Sequence, residues 1–138
     1  MKTQAKLINK YWTDIYFHTH YPHKEKISHQ VVRILQVVEK QDSVGINEIA
    51  SYLKVSHNTA SEHIKRIIEK GYLIKNKHPQ DERKVTLCLT EFGREVLHHN
   101  TSLDEEKLGT ILNGLSDQEQ RLIEEALKLL SESAKKCT

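Results

Sequence analysis

The sequence predicts a mainly α fold that carries one small β-hairpin. Three observations predict it. Apolar residues recur at three- and four-residue steps through most of the chain, the period of an amphipathic helix. One stretch, KVTLCLT, instead alternates strictly, with Val85, Leu87 and Leu89 on one side and Thr86, Cys88 and Thr90 on the other. Just before it stands a proline turn and a run of charge, Gln80-Asp81-Glu82-Arg83-Lys84, which reads as the tip of the hairpin.

The elements follow in order. Leu7, Ile8, Tyr11, Trp12, Ile15 and Tyr16 predict a helix over about residues 3–18, broken before Pro22. A second helix starts near Ser28, with Val31, Ile34, Leu35 and Val38 on one face, and Val44-Gly45 is a short extended piece. INEIASYLKV forms a brief helix with Asn47 as its N-cap and Ile49, Ala50 and Leu53 inward. Val55-Ser56 turns the chain. The next helix is capped by Ser56, turns Ala60, Ile64, Ile67 and Ile68 inward and ends at Gly71. YLIKN and KVTLCLT are the two strands. A helix then runs from Thr90 past Leu97, interrupted or bent at HHNTSLDEEKL. Ser116-Asp117-Gln118-Glu119 is a capping box that opens a last helix with Leu122, Ile123, Ala126, Leu127, Leu130 and Ala134 on one stripe.

The chain of 138 residues is 37% hydrophobic and 29% charged, which suits a helix-rich domain and is too apolar for a disordered one. Net charge is only +2, but residues 1–43 and 44–90 each carry +3 and residues 91–138 carry −4. A basic lobe with a separate acidic association lobe gives this distribution. No stretch is long and apolar enough to span a membrane, and the basic N-terminus has no apolar signal core, so the expected location is cytoplasmic. Cys88 and Cys137 offer neither a disulfide framework nor a zinc spacing. No Gly-rich phosphate loop, nucleophile with a placed base, or carboxylate pair supports an enzyme, and no cofactor is expected.

Two short helices joined by a tight turn and followed at once by a hairpin make a winged helix-turn-helix. The second helix fits the major groove of double-stranded DNA, and the first braces it. Its outward residues Ser56, His57, Asn58, Thr59, Ser61, Glu62 and His63 are hydrogen-bonding groups, and Lys65 and Arg66 add phosphate-contact charge. Glu62 repels phosphate yet can accept from cytosine N4. In the wing, Arg83 suits the narrow, negative minor groove, with Lys84 beside it and Asp81 as a brace for Arg83 or Arg66.

Residues 47–93 resemble the DNA-binding core of the MarR family of bacterial regulators. The resemblance rests on Glu48-Ile49-Ala50-x-x-Leu53, on Ser56-x-x-Thr59, on Glu69-Lys70-Gly71-Tyr72-Leu73, on Asp81-Glu82-Arg83 and on Leu89-Thr90-x-x-Gly93. It implies one MarR-like domain over 1–138, with a winged core at 28–93 and dimerisation helices at 1–22 and 94–138. The expected function is sequence-specific binding of a pseudo-palindromic operator by a homodimeric repressor, with release by a small-molecule effector. Tyr11, Trp12, Ile15, Leu122, Ile123, Leu127 and Leu130 then form the dimer interface, because one chain cannot cover both apolar stripes. An effector pocket is the second reading of the aromatic group Tyr11, Trp12, Tyr16, Phe17 and Tyr21.

Two alternatives stand beside this. One is a zinc-responsive regulator of the same fold, with His18, His20, His23, His98 and His99 as the candidate ligands. The His18-x-His20 spacing and the adjacent His98-His99 do not bring ligands to one helix face, so no metal is expected. The other is a winged module that binds protein rather than operator DNA.

Overall fold

In the computed structural model of the chain, residues 2–22, 25–77 and 85–137 are described. The expected contacts of His23, Asp81, Arg83 and Lys84 lie outside these residues. Seven helices and two strands are described: α1 Lys2–Thr19, α2 His29–Lys40, α3 Ile46–Leu53, α4 His57–Glu69, β1 Leu73–Lys77, β2 Val85–Leu89, α5 Glu91–Thr101, α6 Glu105–Asn113 and α7 Asp117–Lys136. They fall into two compact units, one of residues 20–102 and one of residues 1–19 with 103–138.

The unit of residues 20–102 holds the apolar core. Ile34 and Leu35 of α2, Ile49 of α3, Ala60, Ile64 and Ile67 of α4, Leu73, Leu87 and Leu89 of the hairpin, and Val96 and Leu97 of α5 are all buried. Val38 and Ile68, expected inward, sit at the margin of this core and pack against it. The hairpin is antiparallel with Leu73 opposite Leu89 and Lys77 opposite Val85. Val85 departs from expectation: it is 43% exposed although Leu87 and Leu89 are buried. It is the first residue of its strand, at the end of the ladder furthest from the Leu73–Leu89 pair. Leu87 N–H donates to Val44 O at 2.7 Å, which ties the middle of β2 to the α2–α3 link.

Local chemistry sets the helix ends. Ser28, Ser56 and Thr90 cap α2, α4 and α5, each accepting from a backbone N–H in the first turn. Gly71 closes α4 with φ +86°. There Tyr72 N–H donates to Ile67 O and Gly71 N–H to Ile68 O, a double closure that a side chain at Gly71 would strain. Asn47 is not the cap of α3. Gly45 holds that position, and the Glu48 carboxylate accepts from Gly45 N–H at 3.1 Å. Burial raises the Tyr72 phenol above its ordinary pKa, and the Glu25 carboxylate adds to the shift.

In the unit of residues 1–19 with 103–138, the expected interruption after α5 is a complete break. Asp104 caps a separate helix α6 through the N–H groups of Glu106 and Lys107. Ser116 and Glu119 form the expected capping box on α7, and the Ser116 N–H bond holds the Glu119 carboxyl below its usual pKa. Among the described residues of this unit, α6 and α7 contain no buried one, and α1 buries only Thr19. Its helices α1, α6 and α7 instead line an apolar cleft of about 570 Å³, with Trp12, Ile15, Leu108, Ile111, Ile123 and Leu127 in the walls. Among the described residues no helix is long and apolar enough to cross a membrane.

Candidate nucleic-acid interface

Helix α4 is built as a two-faced element. Ala60, Ile64 and Ile67 are no more than 2% exposed and fix its inner face to the core. Ser56, His57, Asn58, Thr59, Glu62, Lys65 and Arg66 are exposed, and Ser61 and His63 are half-buried. The structure thus brings all nine residues expected between Ser56 and Arg66 onto the face and N-terminal turn of one rigid helix.

Several of them are already engaged. Ser56 Oγ accepts from Thr59 N–H at 3.1 Å and donates to Thr59 Oγ1 at 2.9 Å, so its first duty is to the cap. The Glu62 carboxylate lies 3.9 Å from the Arg66 guanidinium one turn on. Both side chains are more than 60% exposed, so water screens this pair and it contributes little to stability. It does hold Arg66 within reach of Glu62. Arg66, His63 and Lys70 also line a small cleft of about 190 Å³ with Ser28, Gln30 and Val31 at the start of α2. Lysine and arginine beside a helix N-terminus suit a phosphate of a DNA backbone.

One residue was missed in the sequence. Asn47 Oδ1 lies 2.7 Å from His57 Nδ1, a side-chain bond from α3 to the first residue of α4. The signal was present in the spacing: Gly45 followed by Glu48 three residues later already supplies the cap of α3, which releases Asn47 for another partner.

The described histidine candidates have other neighbours. His18 packs edge-on to Phe17, and His98 meets the Tyr21 hydroxyl at 3.2 Å, with the Tyr21 ring against both His98 and His99. Among the described residues no three His, Cys, Asp or Glu side chains converge on a metal position. Cys88 Sγ accepts from Asn76 Nδ2 across the hairpin, and Cys137 is exposed.

Residues 18–100 match the family described as transcriptional regulator SarA/Rot. The chain belongs to the SarA/Rot family of transcriptional regulators. Curated relatives of this SarA/Rot chain include YdgJ of Bacillus subtilis, an uncharacterized HTH-type transcriptional regulator 23% identical over 101 residues, and the HTH-type transcriptional regulator SarZ of Staphylococcus haemolyticus, 23% identical over 94 residues. The matches cover 73% and 68% of this chain, and they span only 62% and 59% of the relatives' lengths. Among solved structures, S. aureus MepR bound to ethidium bromide superposes with a TM-score of 0.60 at 20% identity, over 96% of this chain and 95% of MepR. A MepR variant bound to an oligodeoxyribonucleotide gives 0.51 at 24% identity, over 78% of this chain and 80% of that one. The winged helix-turn-helix fold is therefore that of known regulators, and the MarR resemblance agrees with it. The fold and family are those of regulators rather than of enzymes.

Proposed function

We propose that this SarA/Rot-family chain is a homodimeric repressor that binds a pseudo-palindromic DNA operator in the cytoplasm and is released by a small-molecule effector. The observation that carries the reading is α4: its apolar face is sealed into the core, and its polar and basic residues are left on a presented face. Ser56 to Arg66 read and grip the major groove, and Arg83 and Lys84 of the wing reach the adjacent backbone and minor groove, with Asp81 as a brace for Arg83 or Arg66. The domains follow this division of labour, with residues 28–93 as the DNA-binding core and residues 1–22 and 94–138 as the dimerisation helices. Homodimerisation is supported by α7, a helix of 20 residues with none buried, and by the exposed apolar face of α1. The MepR complexes with ethidium and with an oligodeoxyribonucleotide support an effector and a DNA partner by analogy.

Selection of duplexes from a random library, followed by a salt titration, tests this. Specific binding with a steep negative salt slope is expected, because each neutralised phosphate releases counterions. A flat slope would favour the protein-binding module.

Two substitutions divide the interface further. Arg83→Ala is expected to weaken operator binding by roughly 1–3 kcal/mol without unfolding the chain. Equal affinity at matched salt removes the wing arginine from the interface. Glu62→Gln is expected to lower the specific affinity by about 1–3 kcal/mol and to leave non-specific affinity equal or higher, because Gln keeps an acceptor for cytosine N4 but loses the charge and adds donors that suit adenine better. An unchanged ratio of the two affinities means that Glu62 reads no base.

A further inference from the structure

The bond between Asn47 Oδ1 and His57 Nδ1, 2.7 Å long, fixes more than a position. An amide oxygen can only accept, so Nδ1 must carry the proton. A neutral imidazole holds a single ring proton, and Nε2 is then a bare acceptor on the other side of the ring. His57 is the first residue of α4 and its side chain is exposed, next to the expected readers Asn58 and Thr59. Asn47 is exposed too, and its own helix does not need it: Gly45 and Glu48 make the α3 cap, and Ser56 makes that of α4.

We infer that Asn47 is a positioning residue that holds His57 in its Nδ1–H form, so that His57 reads an amino-bearing base edge through Nε2. This rests on the operator-binding reading above. In the major groove the amino groups are cytosine N4 and adenine N6, whereas guanine offers only the acceptors O6 and N7. With Nε2 as an acceptor, His57 selects cytosine or adenine and rejects guanine. In the opposite tautomer the same ring would donate from Nε2 and favour the bare acceptors of guanine or thymine. The identity of the base is thus set on α3, by a residue that itself touches no DNA.

The test has two independent arms. First, nitrogen-15 correlation spectra of the DNA-free protein, in mildly alkaline buffer, report the His57 tautomer directly. The wild type should show Nδ1–H, Asn47→Leu should shift to Nε2–H, and Asn47→Asp, which keeps an acceptor, should return Nδ1–H. Second, duplex selection should show Asn47→Leu changing the preferred base at one position from cytosine or adenine to guanine or thymine. Its affinity for the best wild-type duplex should fall about tenfold, the size of one good base contact, with non-specific affinity unchanged. In a His57→Phe background Asn47→Leu should have no further effect on base preference, which a merely structural role for Asn47 would not predict. A wild-type His57 in the Nε2–H form, or an unchanged base ranking in Asn47→Leu, overturns this inference alone. A wild type that selects no sequence overturns the proposed function and the base-reading role together.

Discussion

Leu127→Asp is expected to abolish the dimer and, with it, operator binding, while the winged unit stays folded. Leu127 is 49% exposed in the single chain and stands in the wall of the cleft formed by α1, α6 and α7. Around it Leu122, Ile123 and Leu130 of the same stripe are also exposed. Under the proposed pairing this stripe meets a second copy. A carboxylate placed in that seam has no partner, and burying an unpaired charge costs several kcal/mol. By symmetry the cost falls twice per dimer. The winged unit should survive because every buried apolar residue described lies between Ile34 and Leu97. Sedimentation gives the mass, and circular dichroism gives the residual fold. An intact dimer of this variant would remove α7 from the association surface.

Gly93→Ala should produce the second large effect, on stability. Gly93 lies in the first turn of α5, where its N–H donates to Thr90 Oγ1 at 2.9 Å. A Cβ added there would stand 2.1 Å from Tyr72 O and 2.9 Å from Tyr72 C. Neither side can retreat cheaply. Tyr72 O already accepts from Thr90 N–H at 3.1 Å, and the Tyr72 side chain is buried. The cost should reach or exceed the upper end of the roughly 1–3 kcal/mol typical of overpacking. Gly109→Ala is the matched control. Nothing lies within 4 Å of a Cβ at Gly109, so removing a glycine from mid-helix there should stabilise by about 0.5–1 kcal/mol. Urea unfolding separates the two. A Gly93→Ala chain with the wild-type midpoint would contradict the close approach of α5 to Tyr72.

Much of the fold was legible because its signals were local. Ser56 three residues before Thr59, the Ala60/Ile64/Ile67 spacing and Gly71 at the end each act within one or two turns, and α4 formed where they placed it. The failures came where two local signals competed. Asparagine is a good cap, so Asn47 marks a start of α3, yet Gly45 two residues earlier holds the cap position, with its own N–H given to the Glu48 carboxylate. Asp104 followed by Glu105 and Glu106 is also a start signal, but the histidines and polar residues before it leave interruption and bend equally open, and the structure makes the interruption. Val85 shows a different limit. Alternation gives the side of a strand and not how far along it burial extends. In the candidate interface, helical period was enough to sort outward from inward residues on α4. It could not reveal the bond from Asn47 to His57, because that bond depends on how two helices meet.

The tie between Leu87 N–H and Val44 O also bears on which DNA can be bound. The hairpin is held by its own ladder, by buried Leu73, Leu87 and Leu89, and by this further backbone connection to the link that launches α3. The separation between the hairpin and α4 is then a property of the protein. On the proposed operator the protein acts as a caliper. A duplex whose groove spacing matches it binds without distortion, and one that does not must bend or untwist to fit, at an elastic cost that depends on its sequence. Base pairs lying between the contacts, touched by no side chain, would then be selected for their stiffness.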